Sequence, residues 1–248
     1  MIAIFAAMDT EVGACFGGGP PSASAEVDGF PLYDGGVIIV CKTGIGRRSQ
    51  QAAEAMLTRY SARMVLSVGV AGGLAPGMSV GDLVICSQVD HETHRHRGEE
   101  TSVYCDEGLM RRAFGVAESI GLPITVGGSL TVDEAAWGSA EKAAHHAWKR
   151  HDIVEMESFW IGEAAVRRGI PFLTARTISD TADHELYQTG AMREDGTFDA
   201  EAFQAWAQAH PELMPGFAMS AANARFAFSS LTRFLSAFLP QVAAEPVL

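Results

Sequence analysis

The sequence predicts an α/β protein, a three-layer α/β/α domain on a mixed, largely parallel central sheet. Two observations predict it. Short apolar runs rich in β-branched residues alternate with stretches of helical period. Several of those runs are apolar at successive positions, the pattern of strands covered on both faces. The length, 248 residues, suits a single domain over 1–248 that buries about 70–75% of its unfolded surface and needs no disulfide or metal staple.

In chain order, the first strand is IAIFAA at 2–7. MDTEV follows and puts Glu11 in the ligand-facing layer; Asp9 is its rival, and either one caps a helix. GGGPPSAS at 17–24 is a surface loop. VIIVC at 37–41 leads to the turn TGIGRR at 43–48 and a helix over 47–60. MVLSVGV at 64–70 enters a second glycine-rich turn, GVAGGLAPG at 69–77. Neither turn has the spacing of a dinucleotide or P-loop site. Glycines after strands do let backbone N–H groups, here those of Val70, Ala71 and Gly72, approach a small ligand. Arg47 and Arg48 either meet an anion or begin a solvated helix. DLVIC at 82–86, a helix over 107–120, a strand over 124–132 and a helix over 138–150 come next. IVEM at 153–156 runs into a helix over 158–168, and PFLTARTIS at 171–179 is the last strand. Two helices, over 199–209 and 215–239, make an extended C-terminal helical segment at about 199–240. In such folds a ligand sits at the carboxyl ends of the strands.

Charge and composition narrow the function. A formal net charge of −12 excludes a nucleic-acid backbone or an anionic membrane as main partner. Cys15, Cys41, Cys86 and Cys105 are widely spaced and read as thiols of a reducing compartment. No signal segment or membrane span is expected, which predicts a soluble cytoplasmic protein. His91, His94 and His96 imitate metal ligands but lack the H-E-x-x-H spacing, in a segment that reads as a polar loop; no metal and no cofactor is expected. His145 and His146 read as surface residues.

The carboxylates carry the chemistry. Asp180, where the last strand ends beside Ser179, either caps a following helix or serves as a general acid in an apolar pocket. Asp183 reads as structural. Glu155 and Glu157 share a face if the chain stays extended and diverge if it turns at Met156, one anchoring structure and the other facing the pocket. An ionised carboxylate at a strand end suits the vicinal hydroxyls of a sugar.

Taken in order, MDTEV, TGIG, VGVAGGL, VGDLV, IVEMES and RTISDTAD resemble the purine nucleoside phosphorylase/methylthioadenosine–adenosylhomocysteine nucleosidase superfamily over about residues 1–185. The resemblance implies a nucleoside phosphorylase-like fold and a metal-free N-glycosidase acting on adenosine-type nucleosides. Glu157 would hold the ribose 2′- and 3′-hydroxyls, Met156 would pack on the sugar, Asp180 would protonate N7 and Glu11 would activate water. The family's base-stacking aromatic departs here, leaving Trp137 of TVDEAAWGS as a substitute. Ser67 stands where trimer-based phosphorylases carry a phosphate-binding arginine, which favours water as nucleophile; Arg47 and Arg48 keep phosphate as an alternative. The C-terminal segment resembles that of hopanoid-associated phosphorylases, which implies an adenosylated lipid, against a plain packing role. A homodimer or higher homo-oligomer is implied. An inactive nucleoside-binding protein is the rival outside catalysis, and it predicts a broken carboxylate set.

Overall fold

The computed structural model describes residues 1–93 and 102–244. At its centre β1 (Ile2–Ala6), buried at all five residues, lies parallel between β4 (Ile38–Lys42) and β5 (Met64–Gly73). β10 (Phe172–Asp180) runs parallel to β5 on the other side. β6 (Leu83–His91) and β8 (Ile124–Thr131) pair in parallel, and β9 (Ile153–Glu155) is parallel to β8. Two antiparallel pairings, β10 with β6 and β9 with β5, join these groups. The sheet is therefore mixed as expected, but five of its strands close on themselves in the order β5–β10–β6–β8–β9. Closure brings the ends of distant strands to one rim.

A hairpin, β2 (Ala25–Val27) and β3 (Phe30–Asp34), extends the sheet antiparallel to β4. Its two-residue loop is Asp28-Gly29 with φ of 48° and 84°, the left-handed pair that a tight hairpin requires. β7 (Val103–Tyr104) pairs with β6.

Helices cover the sheet: α1 (Asp9–Cys15), α2 (Arg48–Arg59), α3 (Glu107–Ser119), α4 (Ser139–Ala147), α5 (Ser158–Val166), α6 (Ala200–Ala209) and α7 (Met214–Ala243). α7 buries Ala227, Leu231, Phe234, Leu235, Phe238, Leu239 and Val242, spaced three or four apart along one face. That face packs on α1 and β10. Arg63 Nη2 caps the end of α7 by donating to the Val242 carbonyl at 2.6 Å. α6 has no fully buried residue; Phe203 and Trp206 pack on Phe217 of α7, with ring centroids at 4.6 and 5.8 Å. The C-terminal segment thus has the packing role that the sequence left as one option.

Asp90 and His91 correct one expectation. They are buried residues at the end of β6, not part of a polar loop, and the His91 ring lies 4.5 Å from that of Trp160. His94 and His96 lie outside the described residues. His145 and His146 are half-buried rather than open, and His146 Nδ1 is 2.7 Å from the His151 carbonyl oxygen. All four cysteines are free and buried. Among the described residues no helix is long and apolar enough to cross a membrane.

Candidate active site

A cavity of about 200 Å³ opens where β1, β5, β8, β9 and β10 end. Apolar groups line most of it, Met8, Ile45, Val132, Val154 and Leu186 among them, and Glu11, Glu155, Glu157 and Asp180 bring carboxyl groups to it. Val70, Ala71, Gly72, Met156 and Ser179 line the same cavity.

Glu11 arrives there because α1 begins directly after β1. It sits in the first turn and reaches back, Oε2 accepting from the N–H groups of Ala7 at 2.8 Å and Met8 at 3.1 Å. This satisfies donors that a helix start leaves open. Oε1 accepts from Val70 N–H at 3.0 Å. Burial raises the Glu11 carboxyl above its ordinary range, outweighing the Arg176 charge and these three N–H donors. Its rival Asp9 turns outward and pairs with Lys42 at 2.9 Å.

β9 ends at Glu155 and α5 begins at Ser158, so the chain turns at Met156 and the two glutamates diverge. Glu155 Oε2 accepts from the N–H groups of Glu157 and Ser158 at 3.0 and 2.7 Å. Its other oxygen takes the Thr131 hydroxyl. Glu157 keeps a lighter set, Gly46 N–H on Oε1 at 2.9 Å and the edge of Arg176 on Oε2 at 3.4 Å. Glu155 anchors the junction, and Glu157 has acceptor capacity left for the cavity.

Arg176, from the middle of β10, is one of two groups that sequence reasoning missed. Its side chain is 2% exposed. Nη2 lies 2.8 Å from Glu155 Oε2 and donates to the hydroxyls of Ser67 and Ser158, each at 3.0 Å, while Nη1 is 4.0 Å from Glu11 Oε1. One guanidinium thus faces three glutamates. Burial foremost, joined by repulsion from Glu155 and Glu11, overrides the attraction of Arg176 and pushes the Glu157 carboxyl up to about 8. A charged residue inside a run that reads as a buried strand was the available signal, because such a residue needs partners.

Asp180 is the last residue of β10, and no helix follows until Ala200, so the N-cap reading falls. Oδ2 accepts from Ser179 Oγ at 2.7 Å, and Oδ1 accepts from Lys142 Nζ at 2.5 Å. Lys142, which the sequence did not flag, comes from α4. Asp183 is exposed and accepts from the Thr181 hydroxyl at 2.6 Å.

Three named candidates stand apart. Trp137 is not among the lining residues; its N–H donates to Glu141 and its carbonyl accepts from Leu186, while the small Ala135 and Ala136 take the wall. Arg47 and Arg48 line a neighbouring depression of about 300 Å³ that shares Ile45 and Met156 with the cavity. There Arg47 lies 4.9 Å over the Trp160 ring and Arg48 5.6 Å over that of Phe30. The described residues lining the carboxylate cavity include no lysine, arginine or histidine. Among the described residues no group of His, Cys, Asp and Glu side chains has the arrangement to hold a metal ion.

A family model described as "Phosphorylase superfamily" matches residues 25–212. A 5'-methylthioadenosine/S-adenosylhomocysteine nucleosidase of Exiguobacterium sp. is 27% identical over 74% of this chain and 86% of its own. A DeoD-type purine nucleoside phosphorylase from the same organism is 30% identical over 67% and 72%. Among solved structures, the futalosine hydrolase of Helicobacter pylori superposes with a TM-score of 0.71 at 20% identity, covering 97% of both chains. The C-terminal helices therefore fall within a shared fold rather than outside it. The 5'-methylthioadenosine/S-adenosyl homocysteine nucleosidase of Campylobacter jejuni gives 0.65 at 21% identity, over 94% of this chain and 98% of its own.

Proposed function

Because the chain belongs to the phosphorylase superfamily, we propose that it is a purine nucleosidase hydrolysing the N-glycosidic bond of adenosine-type nucleosides, 5'-substituted ones included. The observation that carries this reading is the cavity itself, where Glu11, Glu157 and Asp180 meet with three different sets of partners. Breaking the bond between C1′ and N9 leaves positive charge on the sugar and sends an electron pair into the base. A protonated purine departs more easily than its anion, so an acid at N7 lowers the barrier, by about 10²–10⁴-fold in typical cases. Asp180 takes that role. Glu157 holds the ribose hydroxyls. Glu11, made more basic by burial, removes a proton from the water that attacks C1′, the division of labour of an inverting glycosidase. Free sugar and free base result.

Phosphorolysis is the second reading, favoured by the similarity to the DeoD-type phosphorylase and by the nearness of Arg47 and Arg48. Hydrolysis is preferred because phosphate calls for cations at the nucleophile's position. Arg47 and Arg48 belong to the neighbouring depression, which does not include Glu11, and Arg176 is engaged by glutamates. The test is product analysis with methylthioadenosine, adenosylhomocysteine, adenosine and inosine, each with and without phosphate. Adenine and free sugar without phosphate are expected. Release only with phosphate, as sugar 1-phosphate, would replace hydrolysis by phosphorolysis. No release from any of the four would shift the reading to a bulkier adenosylated substrate or to a binding protein.

A further inference from the structure

We propose that Lys142 is the positioning residue of the acid: it occupies Oδ1 of Asp180, so that Oδ2 alone delivers the proton to the departing purine. The inference rests on reading Asp180 as that acid. α4 has nine residues, and Lys142 alone among them is buried, with no exposed surface. A lysine turned inward from an otherwise open helix is not there for apolar packing. Its ammonium has three donors, and all three are used, on Asp180 Oδ1 at 2.5 Å, the Thr181 carbonyl at 2.9 Å and the His184 carbonyl at 2.8 Å. With none left for a ligand, Lys142 acts through Asp180.

The surroundings fit that use. Ser139 donates from N and Oγ to Glu185 Oε1 at 3.0 and 2.6 Å, and Leu186 N–H donates to the Trp137 carbonyl at 2.8 Å. α4 and the segment after β10 are thereby laced together, with Lys142 as the innermost tie. On the other oxygen, Ser179 Oγ reaches both Oδ2 at 2.7 Å and the Ala71 carbonyl at 3.2 Å. The hydroxyl can turn to that carbonyl when Oδ2 carries a proton. As the C1′–N9 bond breaks, this proton passes from Oδ2 to N7, and the carboxylate left behind faces a fixed ammonium. Solvent later returns a proton to Asp180.

The experiment compares two leaving groups in wild type and Lys142→Met. With an adenosine-type nucleoside, kcat should fall about 100-fold, whereas with 4-nitrophenyl riboside, whose phenolate leaves unprotonated, it should fall about threefold or less. Equal losses on both substrates, or no loss on the nucleoside, would overturn the proposal. In an Asp180→Asn background, Lys142→Met should cause no further loss of kcat, and a further loss would count against it. If Lys142→Met does not fold, Lys142→Arg replaces it, keeping the charge while displacing the donor on Oδ1, with the same outcomes. Wild type is assayed first. If it cleaves neither substrate, the nucleosidase reading itself fails; if it is active and the variant loses both substrates equally, only the role of Lys142 fails.

Discussion

Gly69 has no side chain because two others need its space. A Cβ there would be driven into Glu11 Oε1 and Arg176 Nη1, both buried and committed to other bonds. Gly69→Ala should therefore cost about 1–3 kcal/mol as overpacking, lowering Tm by about 2–10 °C. It should also reduce kcat, because the atom displaced belongs to the proposed base. Thermal unfolding and steady-state kinetics on one preparation would check both, and an unchanged Tm would refute the packing argument. Asp180→Asn keeps the shape of its carboxyl but has no acidic proton. It should lower kcat by about 10²–10⁴-fold on an adenine nucleoside and leave KM within a few-fold; a wild-type kcat would remove Asp180 from the acid role. The glycine was legible as a place of close approach. That protein side chains make the approach was not, because both partners come from elsewhere in the chain.

At the scale of elements, the junction of β9 and α5 shows what local pattern reveals and what it withholds. The run IVEM ended near the right residue, and the helix after it began at Ser158, because apolar strand and helical period are local signals. The hairpin of β2 and β3 escaped notice although its Asp-Gly turn was present, since its strands are short and Pro31 interrupts one of them. Which glutamate anchors could not be read from spacing, because the answer depends on Arg176 and on Thr131, some twenty residues away in either direction. Lys142 carried no sequence signal, sitting in a short polar helix like any surface lysine. The division of roles makes a prediction. Glu155→Ala strips two N–H groups at the start of α5 and a buried guanidinium of their main acceptor. It should destabilise by about 3–5 kcal/mol, the range for breaking one side of a buried pair. A denaturant midpoint close to wild type would show that Arg176 is held by Glu157 and the serines alone.

For the whole molecule, the site places three glutamates around one arginine in a protein that already carries a net charge of −12. Ionising all three would leave negative charge buried with one cation to balance it, and Glu157 answers by holding its proton up to about pH 8, against an ordinary value of 4.5. Below about pH 4.5 Glu157 is protonated whether the chain is folded or not, and this group favours folding fully. Between 4.5 and about 8 the unfolded chain releases a proton that the folded protein keeps, so stability falls as pH rises and levels off above that range. Glu157→Gln is neutral throughout, and its amide oxygen can still accept from Gly46 N–H. Tm of the variant and wild type should coincide near pH 4.5 and separate as pH rises, the variant standing higher by roughly 5 °C at pH 8 if a few kcal/mol are relieved. Parallel Tm curves across that interval would mean that Glu157 ionises normally inside the fold. Above about pH 8, where Glu157 is ionised, the same variant should also lose most of its kcat/KM, because an amide holds the ribose hydroxyls less strongly than a carboxylate. A substitution that makes the protein more stable and less active locates the cost of the site in the group that touches the sugar.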